Sequence, residues 1–472
     1  DDPGLAVLHV GGGEDAFGGA IAHLHRGYDV VGLLLQLQDV HGRALGNSRF
    51  GLRPEETGNA HSLSDELSDH KLFGSLPKIE SLIFCEEKEN SVYSAAVVGA
   101  GPAGSTAARF LSEMGHDVLL IDRKEAVGIP KQCAEGLFAA CYPEFAMSTG
   151  DFISGKVRYL RVVFPNQTGY RLRGDLLMLD RPRFDQHLLT LAERAGAEVA
   201  LGKKVERIDP ESGEVRLLGG ETIRAETIVG ADGPASRVAR SMGERNRVVP
   251  AAQLEMRWPE DDAIYAYIDR DLCPQPSRTK NCRSYSCWIF PKSERGTANV
   301  GCFGTFPTLE RFISKYKIEG EVVEKNGGAI PLGLAKKLQK GRAVLIGDAG
   351  GLTNPFTGGG LYPAARSARI AADAIDRFLR GETKNIEYEP RMRRDFVASN
   401  LHMKGRDVLA SLSNEDLCRL GAAMDGLVFP GLKITASPLL VWRGLLHPGI
   451  IKPKYAPLLK LLFRYCLAGK VW

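Results

Sequence analysis

Apolar and polar positions along this chain change rhythm at residue 92. Before it, residues 54–91 are polar, acidic and poorly periodic, the pattern of a linker or a disordered segment. From Val92 to Val98 the run is mostly apolar and without alternation, as in a strand buried on both faces of a parallel sheet. Ser105–Glu113 carries helical spacing, and Asp117-Val118-Leu119-Leu120-Ile121 reads as a second buried strand. The same apolar run ending in glycine returns at Thr227–Gly230 and at Ala343–Gly347. Alternation around Tyr285, Trp288 and Phe290 predicts a strand of an antiparallel sheet. Near the C-terminus, Leu458, Leu461, Leu462 and Tyr465 share one face of a predicted helix over residues 455–467, with Lys460 and Arg464 elsewhere. Together these elements predict an α/β fold with a parallel sheet, an antiparallel sheet and a helical C-terminal region.

Composition changes this picture only at the ends. The 472 residues, 44% hydrophobic and 25% charged, exclude a disordered, collagen-like or disulfide-scaffold protein and allow two or three domains. With 61 basic against 57 acidic side chains, the chain is too near neutrality for a dedicated nucleic-acid binder. The charge is uneven, however: residues 1–91 hold seven basic and fifteen acidic residues, and residues 426–472 hold seven Lys or Arg and no acid. No run of 18 apolar residues predicts a membrane span. Nine cysteines without a secretory signal predict free thiols in a reducing cytoplasm.

The first methionine is Met114, and the functional domain is expected to begin at Val92, with residues 1–91 an extension of unassigned role. Within that extension, Gly11-Gly12-Gly13 reads as a turn, and His23, His25 and His41 read as exposed because no partner has zinc-site spacing. Cys273, Cys282, Cys287 and Cys302 also lack the C-x₂-C spacing of metal sites, so no metal is expected; a disulfide and plain buried thiols both remain open.

The chemistry begins with Gly99-Ala100-Gly101-Pro102-Ala103-Gly104, a full G-x-G-x-x-G between strand and helix. Its first glycine makes the turn, its second lets backbone amides approach a pyrophosphate, and its third lets helix and strand pack closely. The helix start stabilises phosphate charge, and Asp122, eighteen residues past Gly104 at the end of the second strand, suits ribose hydroxyls. An ordinary tight turn would not explain Asp122. Two later motifs, Gly230-Ala231-Asp232-Gly233 and Gly347-Asp348-Ala349-Gly350, imply one ligand-binding fold assembled from distant segments.

This set resembles the FAD-dependent aromatic hydroxylase superfamily. Within it, the chain is most similar to the geranylgeranyl reductase family, especially its archaeal digeranylgeranylglycerophospholipid reductases. The narrower resemblance rests on Lys131-Gln132-Cys133-Ala134-Glu135-Gly136, Arg181-Pro182-Arg183-Phe184-Asp185, Trp288-Ile289-Phe290-Pro291-Lys292 and Asn354-Pro355-Phe356-Thr357-Gly358-Gly359-Gly360-Leu361, and it covers residues 92–380 best. The family's aromatic position before Trp288 is held here by Ser286, with Tyr285 one residue early. The resemblance implies FAD as cofactor. It implies contacts from Gly99, Gly101, Ala103 and Gly104 to the pyrophosphate and from Asp122 and Arg123 to the ribose end. It also implies contacts from Cys133, Ala134, Gly136, Arg181, Val205, Asp232, Asp348, Gly360 and Leu361 elsewhere on the cofactor. Cys133 stays open between an inert core thiol, a cofactor contact and a catalytic proton donor. Tyr285, Trp288 and Phe290 are open between walls of a polyprenyl pocket and plain sheet core.

The expected domains are residues 1–91, an acidic extension; 92–155, 175–255 and 340–380, a discontinuous Rossmann-like FAD domain; 156–174 and 256–339, a β-sheet substrate domain; and 381–472, a basic helical region. The activity the resemblance implies is saturation of geranylgeranyl chains on an archaeal ether phospholipid precursor, with hydride from reduced FAD and a proton on the other carbon. A flavin monooxygenase and a non-catalytic prenyl-lipid carrier are the alternatives. Ferredoxin, a deazaflavin and NADPH are all open as electron donor. The acid-free C-terminus is open between peripheral contact with the inner face of the membrane and packing on the protein's own core.

Overall fold

The computed structural model describes residues 92–272, 286–429 and 456–468; the N-terminal extension, Cys273, Cys282 and Tyr285 lie outside the described residues. From β1 (Val92–Val98) the chain passes through the glycine loop into α1 (Pro102–Glu113) and returns as β2 (Val118–Ile121). Next come β3 (Gly136–Phe138), β4 (Ile153–Val163), β5 (Gly169–Leu179), α2 (Arg181–Arg194) and β6 (Glu198–Ala200). The hairpin β7 (Val205–Asp209) and β8 (Glu214–Leu217) leads to β9 (Thr222–Gly230) and the short α3 (Arg237–Ser241). Then follow β10 (Val248–Arg257), β11 (Ala263–Ile268), β12 (Ser286–Lys292), β13 (Thr297–Phe303), α4 (Phe306–Tyr316) and β14 (Val322–Pro331). After β15 (Gln339–Lys340) and β16 (Ala343–Leu345) come α5 (Leu361–Leu379), α6 (Tyr388–Arg394), α7 (Leu401–Ser411), α8 (Asn414–Met424), β17 (Val428–Phe429) and α9 (Ala456–Ala468).

The first sheet runs β15-β16-β9-β1-β2-β6, with β7 and β8 attached through β9. Ala95, Ala96 and Val97 of its central strand are fully buried, which explains a sequence run without alternation. Because β1, β9 and β16 are mutually parallel, their C-terminal ends fall on one edge of the sheet. The glycine loop, the Asp232 turn and the Asp348 turn leave from those ends, so segments far apart in sequence meet there. Small residues close the packing above: Ala364, Ala368, Ala371 and Ala372 of α5 are buried in the same core as Ala103, Ala107 and Ala108 of α1.

The second sheet runs β14-β10-β13-β12-β11-β4-β5-β17, with β3 on β5. It is largely antiparallel, though β4 pairs parallel with β11 and β5 with β17. Helix α4 covers one face through Leu309 and Phe312, packed with Leu254, Ile289 and Val300. The strands of this sheet overrun the segment boundaries expected from sequence, since β5 continues to Leu179 and β10 begins at Val248. The cause is visible in β5. Leu176 and Met178 join the sheet's own apolar cluster, whereas Leu177 and Leu179 join the core of the first sheet. A strand buried on both faces loses the alternation that marks an antiparallel sheet. Among the described residues, no helix is long and apolar enough to cross a membrane.

Candidate cofactor and substrate cavity

Each glycine of the loop after β1 has its own steric task. Gly99 has φ +105°, a conformation other residues rarely adopt. A β-carbon on Gly104 would stand 1.8 Å from the Gly99 carbonyl oxygen, so helix and loop could not approach as they do. Gly101 has no atom within 4 Å of where its β-carbon would be, and it lies on the wall of a cavity. The Asp122 carboxylate accepts the Ala100 N–H at 2.7 Å and the Lys124 N–H at 2.8 Å, which ties the end of β2 to the loop.

The cavity is about 710 Å³ and extends from this loop between the second sheet and the C-terminal helices. That is within the ~300–1,000 Å³ of ordinary ligand sites, toward the large end. At one end stand Gly101, Ala103, Cys133, Arg181, Asp348 and Gly360. At the other the wall is aliphatic and aromatic, with Leu160, Val162, Leu409, Leu420, Leu458 and Leu462. Helices α1 and α5 both start at this cavity, with Gly101 and Gly360 as N-caps that supply no side-chain hydrogen bond. Their first-turn amides therefore suit an anionic ligand.

Arg181 is clamped by Asp185, with bonds of 2.8 and 2.9 Å. Burial disfavours its charge, but Asp185 and the nearby Cys133 hold its pKa above the ordinary arginine value. The Asp348 pKa is also raised, which for a carboxyl disfavours the charge: burial raises it, and the Thr353 hydroxyl and the Arg181 charge only partly offset this. Asn246 donates to the carbonyls of Asp348 and Ala349, 2.9 Å each, and fixes that turn from outside the motif.

Residues 131–136 are held by the second sheet. Gln253 donates to the Cys133 carbonyl at 3.0 Å and in turn accepts the Trp288 indole N–H at 3.1 Å. Asn299 donates to the Ala134 carbonyl at 3.1 Å. Trp288 and Phe290 line the cavity. Each ring lies against a glycine: a β-carbon on Gly301, the partner of Trp288 across β12 and β13, would meet the Trp288 ring at 2.5 Å, and one on Gly136 of β3 the Phe290 ring at 2.7 Å. Cys287 and Cys302 face each other across β12 and β13 as thiols rather than a disulfide. Among the described residues no group of His, Cys, Asp or Glu is gathered as for a metal ion.

The remaining residues singled out from sequence lie off the cavity wall. Gly99 and Gly104 shape the loop from beneath, and Arg123 is exposed beyond Asp122. Val205 is buried on β7 in the first core. Asp232 spends its carboxylate locally, accepting from the Ser236 hydroxyl and from the N–H groups of Arg237 and Val238. Burial raises its pKa and those bonds pull it back.

Sequence reasoning missed Asn246, Gln253, Asn299 and Asn326, polar residues in strands and loops with no motif to mark them. It left the apolar face of α9 open between a membrane surface and the protein's own core, and the structure turns that face inward. Leu461 and Tyr465, on the predicted apolar stripe, are fully buried; Leu458, Leu459 and Leu462 line the cavity; Phe463 and Leu467 are exposed and off its wall. Tyr465 anchors the helix. Its hydroxyl accepts from Asn354 at 2.7 Å and meets His402 Nδ1 at 2.9 Å. His402 Nε2 lies 2.8 Å from the Phe396 carbonyl, which can only accept, so Nε2 carries the proton and Tyr465 donates to Nδ1.

These residues fit FAD. Two uncapped helix starts suit its phosphates and electron-rich ring, Gly101 leaves the space above the loop free, and the cavity-lining Asn326 has a buried Nδ2 without a hydrogen-bond partner to offer an acceptor atom. Comparison with known proteins agrees. A family model described as an FAD binding domain matches residues 173–389, and one described as an NAD(P)-binding Rossmann-like domain matches residues 97–129. A digeranylgeranylglycerophospholipid reductase of Methanocella arvoryzae is 31% identical over 376 residues, 73% of this chain and 94% of that protein. Digeranylgeranylglycerophospholipid reductase 2 of Methanopyrus kandleri is 32% identical, covering 71% of this chain and 90% of its own length. Among solved structures, a geranylgeranyl bacteriochlorophyll reductase-like protein of Thermoplasma acidophilum superposes with a TM-score of 0.67 at 25% identity, over 79% of this chain and 99% of that one.

Proposed function

The chain belongs to the digeranylgeranylglycerophospholipid reductase family, and from that membership we propose that it is an FAD-dependent oxidoreductase that saturates geranylgeranyl chains of an archaeal ether phospholipid precursor. The observation that carries this reading is the continuity of the cavity. The same cavity of about 710 Å³ is lined both by two uncapped helix starts and by a long apolar wall. Each prenyl methylene buried there contributes about 0.8 kcal/mol, which favours a long chain over a small aromatic substrate.

Reduced FAD, when bound, supplies the hydride that each double bond requires. The protein's own residues do the rest. The amides of α1 and α5 and the Asp122 carboxylate bind and orient the cofactor, and Arg181 adds a fixed positive charge at the polar end of the cavity. Trp288, Phe290 and the leucines of α7, α8 and α9 exclude water and align the chain. Cys133 is the proposed proton source for the second carbon of the double bond, placed on the cavity wall with its sulfur 3.2 Å from the Glu135 backbone nitrogen. Peripheral contact with a membrane is part of the same reading. It is supported by Phe463 and Leu467, exposed on the helix whose other side lines the cavity, and by Lys460 and Arg464 on the same helix.

Mass spectrometry of the lipid after incubation with chemically reduced enzyme tests the reading, because every saturation adds two hydrogens. Unchanged lipid mass with an oxygen-dependent addition to another substrate would replace it with the monooxygenase reading.

A further inference from the structure

Glu135 is an anomaly at the centre of the cavity wall. Its backbone is left-handed, φ +74°, where glycine is the ordinary choice and a glutamate is strained. Its side chain is 1% exposed, although a carboxylate is costly to bury. Four groups account for both facts. Lys292 Nζ stands 2.9 Å from Oε2, Asn299 donates to the same oxygen at 2.8 Å, the Arg181 N–H donates to Oε1 at 3.0 Å, and Lys131 Nζ lies 3.7 Å away. The lysines continue into a buried cluster. Lys292, itself fully buried, meets Glu255 at 2.7 Å, and Lys131 meets both Glu255 and Glu324.

These contacts connect three separate elements. Lys292 and Asn299 belong to β12 and β13, Arg181 begins α2, and Glu135 lies in the segment that carries Cys133 and Gly136. We propose that Glu135 is a positioning residue: its buried carboxylate, gripped by Lys292, Asn299 and the Arg181 amide, fixes the turn that sets Cys133 and Arg181 against each other on the cavity wall. The proposal rests on the cavity being the cofactor and lipid site, and it gives Lys292 and Asn299 roles through Glu135 rather than through direct contact with a ligand.

Glu255 and Lys131 hold fixed charge rather than exchange a proton. Burial alone would raise the Glu255 pKa, yet the hydrogen bonds of Lys131 and Lys292 keep it at about 2. Burial likewise opposes the Lys131 charge, and Glu135, Glu255 and Glu324 more than offset it. Donor and acceptor values so far apart make proton exchange between them unfavourable and leave fixed charges.

The test uses the FAD-loaded full chain at rest, with no lipid. Iodoacetamide labelling, resolved to Cys133 by peptide mass spectrometry, reports whether the turn is held. In Glu135→Gln the labelling rate is expected to change by about tenfold, with FAD stoichiometry retained, because a charge-assisted anchor is lost. Glu135→Gly relieves the left-handed strain but removes the carboxylate, so it is expected to label like Glu135→Gln while melting no lower. Labelling like the unsubstituted protein would mean that backbone conformation alone sets the turn, and would overturn the proposal. Should Glu135→Gln fail to fold, Glu135→Asp decides, since it keeps the charge but shortens its reach to Lys292 and Asn299: a severalfold change at Cys133 supports the role, and an unchanged rate overturns it. With lipid, kcat is expected to fall about tenfold with KM nearly constant, since a misplaced wall disturbs the transition state more than binding. Altered labelling without any lipid saturation by the unsubstituted enzyme would leave the positioning role standing and remove the substrate reading instead.

Discussion

A single methyl group distinguishes two glycines of the loop after β1. On Gly104 it would collide with the Gly99 carbonyl, 1.8 Å away, and on Gly101 it would meet nothing in the protein. Gly104→Ala is therefore expected to damage the fold itself, lowering the melting temperature whether or not FAD is added. Gly101→Ala is expected to leave the FAD-free melting temperature unchanged and to weaken FAD at least tenfold, because its methyl occupies space reserved for the pyrophosphate. Thermal melts beside fluorescence-quenching titrations with FAD check both. Equal FAD affinity in Gly101→Ala and the unsubstituted protein would remove the cofactor from that loop.

At the scale of elements, α9 is held by polar anchoring as much as by its leucines. Tyr465 bridges Asn354, in the glycine-rich segment before α5, to His402 on α7. Burial lowers the His402 pKa from the ordinary 6.5, so the folded protein keeps the neutral ring that accepts from Tyr465. Below pH 6.5 the unfolded chain takes up a proton that the folded chain refuses. Stability from this group is complete above that pH and declines as pH falls toward the lowered folded value. Tyr465→Phe removes the hydroxyl from both bonds and is expected to cost about 1–3 kcal/mol, concentrated in α9. Hydrogen exchange resolved by peptide should show α9 opening faster in the variant, and faster in the unsubstituted protein at pH 5.5 than at pH 7.5 once intrinsic rates are divided out. Uniform protection across both comparisons would count against the anchor.

At the scale of the whole molecule, one cavity is lined by the first sheet's loops, the second sheet and the last helices, so the proposed cofactor and chain sites share one space. α9 has a cavity side and an outer apolar side, and vesicle sedimentation tests the outer one. The protein is expected to pellet with anionic phospholipid vesicles, and Phe463→Ser with Leu467→Ser to reduce the bound fraction severalfold, without loss of FAD. Full pelleting by the double variant would remove α9 from the interface. Sequence alone determined the parallel nucleotide-binding core, because its signals are local: a buried run, three glycines, an acid at a fixed spacing. It also marked Cys133, Arg181, Trp288, Phe290 and Asp348 through short motifs. It did not reveal that β5 serves two cores, since burial on both faces erases periodicity, nor which stripe of α9 faces outward, since three of its sides are apolar. It gave no sign that Glu135, Lys292, Glu255 and Asn299 meet, being up to 164 residues apart. Those contacts exist only after strand pairing brings β10, β12 and β13 beside the 131–136 segment. Hydrogen bonds between distant side chains leave no periodicity in a sequence, so only the tertiary structure could decide what the cavity wall is fastened to.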